Sequence, residues 1–204
     1  MNISQYQGTK INLAEFSWIH QPKVFSIEND CLTIITEPET DYWQRTYYGF
    51  QNDNAPTFVK EVEGDFTFVV EACFEYVNLY DQCGIILYQD SENWIKASVE
   101  YENEQFARLG SVVTNLGFSD WASTDISADI NSVWYRLSRR GQDFNIEYSF
   151  DKDNFIQMRI FHMHKPISVA RIGVYACSPG KSSFKADFRN FELGKCNWRD
   201  HFGN

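Results

Sequence analysis

Prolines, glycine tracts and long apolar runs are scarce in this sequence, and each shortage excludes something. Only five prolines occur in 204 residues, with no Pro-, Gly- or Ser-rich tract, so no flexible linker divides the chain. All-β folds reach this length without splitting, and a single domain over residues 1–204 is expected. No apolar run approaches the roughly 20 residues of a membrane-spanning helix. The opening MNISQYQGTKINLAEF has no apolar segment of the kind a secretory leader carries. The five cysteines, at 31, 73, 83, 177 and 196, form no Cys-x-x-Cys pair. Cys73 and Cys177 sit in apolar runs, where a thiol behaves as a small hydrophobe. Reduced thiols and a cytoplasmic location are the expectation.

Basic residues are outnumbered. Eighteen Lys and Arg face 28 Asp and Glu, for a formal net charge of -10. A nucleic-acid binder needs a cationic surplus to displace counterions from phosphates, and an anionic membrane attracts the same groups. Neither partner is expected. Neutral, hydroxyl-rich ligands such as carbohydrates remain, as does a protein partner.

Several catalytic signatures are also missing. There is no G-x-S-x-G, and no glycine-rich phosphate loop opens a helix, so no cofactor is expected. His162 and His164 in HMH would share a strand face. No acidic or cysteine partner stands at ligand spacing, so no metal is expected; His20 and His201 are isolated. DKDN at 151–154 lacks the glycine and terminal glutamate of a calcium loop and reads as a turn.

What is abundant is alternation. In DFTFVVEACFEY, residues Phe66, Phe68, Val70, Ala72, Phe74 and Tyr76 share a face, opposite Thr67, Glu71 and Glu75. CGIILYQD at 83–90 is nearly continuously apolar, as in a strand covered on both faces. Short alternating runs recur to residue 193, separated by turn signals such as Asn29-Asp30 and Gly141-Gln142. No 3.6-residue periodicity is sustained. The pattern predicts an all-β fold, an antiparallel two-sheet β-sandwich.

WIKASVEY, at 94–101, raises a functional question. Ile95, Ala97, Val99 and Tyr101 suit a core, which leaves Trp94, Lys96, Ser98 and Glu100 in a row on the other face. Sugar sites need flat aromatics for ring faces and fixed polar groups for hydroxyls. This row supplies both, as do Asp120-Trp121 and the Trp134, Arg136, Ser138 row. The alternative is Lys and Arg stems lying over tryptophans on an outer wall. Glu100 and Glu102 lie about 6.5–7 Å apart at the usual strand rise, within the range that paired glycosidase carboxyls span. In so acidic a chain such pairs also arise by chance, and a solvated face is the favoured reading. Lys96 and Glu100, about 13 Å apart by Cα, call for separate partners, such as Asp120 or Arg136. DYWQRTYYGFQNDNAPTF at 41–58 either rims the groove or caps the sandwich, with capping favoured.

Four blocks together resemble a known family: YDQCGIILYQDSENWIKASVEYENE (80–104), SVVTNLGFSDWAS (111–123), VWYRLSRRGQDFNIEYSFDKDNFIQMRIF (133–161) and IGVYACSPGKSSFKADFRNFEL (172–193). They are similar to the DUF1349 family, whose members are also described as similar to a regulator of enolase. The resemblance implies a concanavalin A-like lectin/glucanase jelly roll. It marks recurrent polar positions at Asp81, Gln82, Trp94, Lys96, Glu100, Asn115, Ser119, Asp120, Trp121 and Arg136, expected to line a ligand site on the concave sheet. The E-x-D-x-x-E strand motif of many glucanases is absent. EGDFTF at 63–68 starts correctly but has Phe68 where the second glutamate belongs. A lectin-like carbohydrate-binding role is therefore expected, because a fold alone does not transfer activity. The alternatives are a glycoside hydrolase with an unconventional carboxylate pair, Glu100 with Asp120 or Asp81, and a regulatory protein-interaction module for a metabolic enzyme.

Overall fold

The computed structural model describes residue 6 and residues 8–198. Seventeen strands follow in order: β1 Thr9–Lys10, β2 Ser17–His20, β3 Val24–Glu28, β4 Cys31–Ile35, β5 Tyr42–Gln44, β6 Gln51–Asp53, β7 Thr57–Glu63, β8 Phe66–Glu75 and β9 Gln82–Asp90, then β10 Asn93–Tyr101, β11 Phe106–Asn115, β12 Phe118–Ser127, β13 Ser132–Arg140, β14 Asp143–Ser149, β15 Ile156–His162, β16 Val169–Cys177 and β17 Lys185–Gly194. The helical content among the described residues is one 3-10 turn, Leu13–Glu15, whose first turn Asn12 caps by accepting from the Ala14 amide. No helix among them is long and apolar enough to cross a membrane.

Two antiparallel sheets form the sandwich. One runs β15-β14-β13-β8-β17-β4-β3, with β1 also pairing β17; the other runs β12-β11-β10-β9-β16-β7-β2. The hairpin β5-β6 stands apart as a two-stranded sheet. The turn chemistry fits the hairpins. Asn29 and Asp30 take φ of 50° and 62° between β3 and β4, as a two-residue turn with both central residues left-handed requires. Gly141, at φ 61°, turns β13 into β14.

The inner faces of the two sheets make the main core. Phe68, Val70 and Ala72 of β8 meet Ile85 and Leu87 of β9 and Ala97 and Val99 of β10, all at 0% exposure. Each large apolar side chain contributes about 1.5–3 kcal/mol of transfer free energy. β9 is apolar on both faces because both are covered: Ile86 and Tyr88 point away from the main core into a second cluster with Tyr42, Trp94 and Tyr175. That second cluster decides where the site can lie.

Candidate functional site

The hairpin β5-β6 covers part of the outer face of the seven-stranded sheet. Tyr42 packs at 5.3 Å from Trp94 and at 6.0 Å from both Tyr88 and Tyr175, ring to ring. Its hydroxyl shares a 2.8 Å hydrogen bond with Thr57 Oγ1. The Gln44 amide donates to Ser119 Oγ at 2.9 Å, and Arg45 donates to the Gly117 carbonyl while pairing with Glu92 at 2.9 Å.

Beside this cover, the face of β9 to β12 opens into a cleft of about 810 Å³, within the range of small-molecule sites. Register builds its floor. Lys96, Ser98 and Glu100 stand opposite Ile86, Gly84 and Gln82 on β9, and opposite Val112, Gly110 and Arg108 on β11. Ser98 thus lies between two glycines, which keeps the middle row low. At Gly84 a Cβ would stand 2.0 Å from the Ala97 carbonyl oxygen, so the close strand approach admits glycine only. Aromatic side chains rise around the floor: Trp43, Tyr48 and Phe50 from the hairpin, Tyr80 before β9, and Trp121 on β12. Tyr48 stacks on Phe50 at 5.8 Å and meets Trp43 edge-on at 5.5 Å.

A chain of polar contacts crosses the floor. Lys96, almost fully buried, donates to Gln82 Oε1 at 2.9 Å and reaches Asp41 Oδ1 at 3.3 Å. Tyr175 donates to the same Gln82 oxygen at 2.9 Å. Gln82 Nε2 then donates to Glu100 Oε2 at 2.8 Å. Burial pushes the Glu100 carboxyl up to about 7, with Asp41 and Glu102 adding to the rise and Lys96 and Arg108 opposing it. Glu102 pairs instead with Arg108, at 2.5 Å, and Arg108 also reaches Asp125.

Of the residues singled out from the sequence, Gln82, Lys96, Glu100 and Trp121 meet in the cleft. Six of the ten polar positions are not brought there; Ser119 is buried, its hydroxyl accepting from the Gln44 backbone amide of the hairpin. Trp94 shares the face of Lys96 but is sealed under Tyr42 at 0% exposure, its indole donating to the Ser91 carbonyl. Asp81 is buried and ties down the preceding loop, accepting from the amides of Val77 and Asn78 and from Ser182 Oγ. Asn115 pins the segment after β15, donating to the His162 carbonyl and accepting from the His164 amide. Asp120 points to the opposite side of its edge strand from Trp121, where Arg159 pairs with it at 2.5 Å. Arg136 lies on the other sheet, in a two-pronged pair with Glu147 and over the Phe155 ring.

Three expectations are thereby corrected. Asp120 and Asp81 are unsuited as second carboxyls to Glu100. Lys96 finds Asp41 and Gln82, not Asp120 or Arg136. The Trp134, Arg136, Ser138 row is an outer wall, with Lys152 lying over Trp134 at 4.6 Å and Ser138 bonded to Thr67. Segment 41–58 does both things weighed for it: Tyr42 caps while Trp43, Tyr48 and Phe50 rim. Asp41 and Arg108 carried no sequence signal: Asp41 joins the site through Lys96, 55 residues away, and Arg108 through the β10-β11 pairing that sets it opposite Glu100. Among the described residues no group of three or more His, Cys, Asp or Glu is placed to hold a metal; His162 bonds Asp143 at 2.7 Å, and His201 lies outside the described residues.

Known proteins share this fold. A Saccharomyces cerevisiae protein named "Regulation of enolase protein 1" is 30% identical over 190 residues, covering 92% of this chain and 93% of its own. A crystal structure of a functionally unknown S. cerevisiae protein matches with a TM-score of 0.85 at 29% identity, covering 91% of this chain and 98% of that one. At lower identity the sandwich is shared with a GH43 protein of Bacillus licheniformis (TM-score 0.70, 15% identity, 92% of this chain and 38% of that one). It is shared also with the carbohydrate binding module CBM66 of Bacillus subtilis (TM-score 0.55, 12% identity, 89% and 96%). The fold is the concanavalin-like jelly roll. Residues 18–196 match the family described as "Protein of unknown function (DUF1349)", and the chain belongs to that family.

Proposed function

We propose that this protein is a lectin-like carbohydrate-binding domain that takes a neutral sugar in the cleft beside the β5-β6 hairpin. One observation carries the reading: the aromatic side chains of Trp43, Tyr48, Phe50 and Trp121 line the same cleft as the polar groups of Lys96, Gln82, Ser98 and Glu100. Aromatic faces suit the apolar faces of sugar rings, and fixed polar groups suit their hydroxyls. The lining charges offset one another when Glu100 is protonated: Lys96 and Arg108 against Asp41 and Glu102. That balance, in a chain of net charge -10, favours an uncharged ligand. The five cysteines are free thiols, which suits a reducing cytoplasm. The test is isothermal calorimetry with uncharged oligosaccharides of xylose, glucose and N-acetylglucosamine. Binding that Trp121→Ala and Tyr48→Ala each weaken at least tenfold supports the reading; a panel without heat or chemical-shift change overturns it.

A second reading rests on a different observation. Tyr47 is 93% exposed at the hairpin tip and, with Tyr48, forms an aromatic knob of the kind that anchors protein interfaces. The similar yeast protein is named for regulation of enolase. A regulatory module would use that knob, and Tyr47→Ala would abolish partner binding without touching sugar binding.

A further inference from the structure

The Gln82 amide stands between a cation and a carboxyl, and its orientation follows from chemistry. An ammonium only donates, so the Gln82 atom facing Lys96 is the oxygen. The NH₂ group is left to face Glu100. Glu100 therefore has one oxygen held by a neutral donor. Among the described residues it forms no salt bridge, and no hydrogen bond engages its Oε1, although it borders the cleft.

The surrounding charges are committed elsewhere. On its own strand and just beyond are Lys96, held by Asp41 and Gln82, and Glu102, held by Arg108. Arg108, opposite on β11, is shared between Glu102 and Asp125. From the segment before β5 comes Asp41. From β16 come Tyr175 and Cys177, both buried, with burial first among the causes that raise them well above their ordinary values. Among the described residues no cation thus pairs with Glu100 as an anion, and its closest acidic neighbours oppose that form.

We propose that Glu100 recognises the ligand as a neutral carboxylic acid, donating a hydrogen bond from its cleft-facing oxygen to an acceptor oxygen of an uncharged, hydroxyl-rich molecule. The proposal rests on the sugar-binding reading and adds the residue that makes it selective and proton-linked. Ionised Glu100 cannot donate, so affinity falls as pH rises. The carboxyl already lies near 7 in the free protein through burial, which places the loss around neutrality. A ligand offering only donor groups to this position gains nothing from the protonated form.

Two measurements test it. In protein labelled with carbon-13 at glutamate Cδ, the resonance absent from Glu100→Gln is followed against pH. A midpoint near 7 is expected; titration in the ordinary glutamate range overturns the proposal whatever binds. Calorimetry with xylotriose, cellotriose and chitotriose is then run at about pH 5.5 and about pH 8.5. Affinity is expected to drop about tenfold or more across that interval. Glu100→Gln, whose amide donates at every pH, should remove the drop, and Glu100→Ala should weaken binding at the lower pH. Binding that ignores pH overturns the role of Glu100 and leaves the cleft as a sugar site. Absence of any binding at either pH overturns both.

Discussion

The ammonium of Lys96 lies 2.9 Å from the amide oxygen of Gln82, and the two side chains stand on neighbouring strands. Their Cα positions are not opposite one another: Lys96 faces Ile86 and Gln82 faces Glu100. The lysine reaches diagonally across the pleat, which long side chains can do. This contact sets the direction of the amide and hence of the donor that meets Glu100. Asp41, delivered by the segment leading into the hairpin, completes the lysine's shell at 3.3 Å. The cleft floor is thereby fastened to its cover through Lys96.

Lys96→Met is expected to destabilise the protein by about 2–4 kcal/mol, because it leaves Asp41 without its cation and Gln82 Oε1 with one donor fewer. The double change Lys96→Met with Asp41→Asn should recover part of that loss. Chemical denaturation of both variants checks this, and equal stability of single and double variants would refute the coupling.

Stability should depend on pH through Glu100. Its folded value, about 7, lies above the ordinary 4.5, so the folded state holds the proton more tightly than the unfolded chain does. The contribution is complete below about 4.5 and is lost as pH rises through 7, amounting to roughly 1–3 kcal/mol. Glu100→Gln should flatten this decline. The readout is the denaturation midpoint at about pH 5 and about pH 8; a decline of the same size in the variant would assign it to another group.

The two tryptophans of the predicted site should behave in opposite ways. Trp94 is fully buried and Trp121 is 41% exposed. Trp94→Ala should cost about 3–5 kcal/mol through the cavity it leaves. Trp121→Ala should cost under about 1 kcal/mol while removing ligand affinity. Thermal melts and calorimetry on both variants separate the roles.

Gly84→Ala should destabilise by about 2–3 kcal/mol, since the added methyl would meet backbone and not a movable side chain. Gly141→Ala has open space around its Cβ but keeps φ at 61°, and should cost nearer 1 kcal/mol. Denaturant midpoints rank the two, and the reverse order would show that the strands at Gly84 can part.

Arg136→Lys should lower stability by about 1 kcal/mol, losing the two-pronged contact with Glu147 and the stacking on Phe155. Sugar affinity should be unchanged, because Arg136 lies on the other sheet. A loss of affinity in this variant would mean that ligand binding reaches across the sandwich.

Much of the architecture was legible in the residues themselves. The period-2 pattern of Phe66 to Tyr76 announced a strand and its buried face, and the two-sided apolarity of Cys83 to Tyr88 announced a strand with cover on both sides. The Asn29-Asp30 and Gly141 turns were equally plain, because turn chemistry is local. The row from Trp94 to Glu100 was placed on one face, as alternation demands.

What alternation cannot carry is what lies above a face. The sequence by itself determined β3, β4, β8 to β11 and β13 to β17, their inner sides and the polar row of β10, because those depend on side-chain direction along a single strand; β1, β2, β5 to β7 and β12 were assigned only by the structure. Only the tertiary structure decided that Tyr42 closes over Trp94 while Ser98 and Glu100 stay open to the cleft. It alone turned Asp120 toward Arg159 and set Arg136 on the opposite sheet, and it alone brought Asp41 to Lys96 across 55 residues of chain. The physical reason is the same in each case: a functional site is a meeting of side chains across strands, and strand order is fixed by long-range pairing and packing, to which no short stretch of sequence has access.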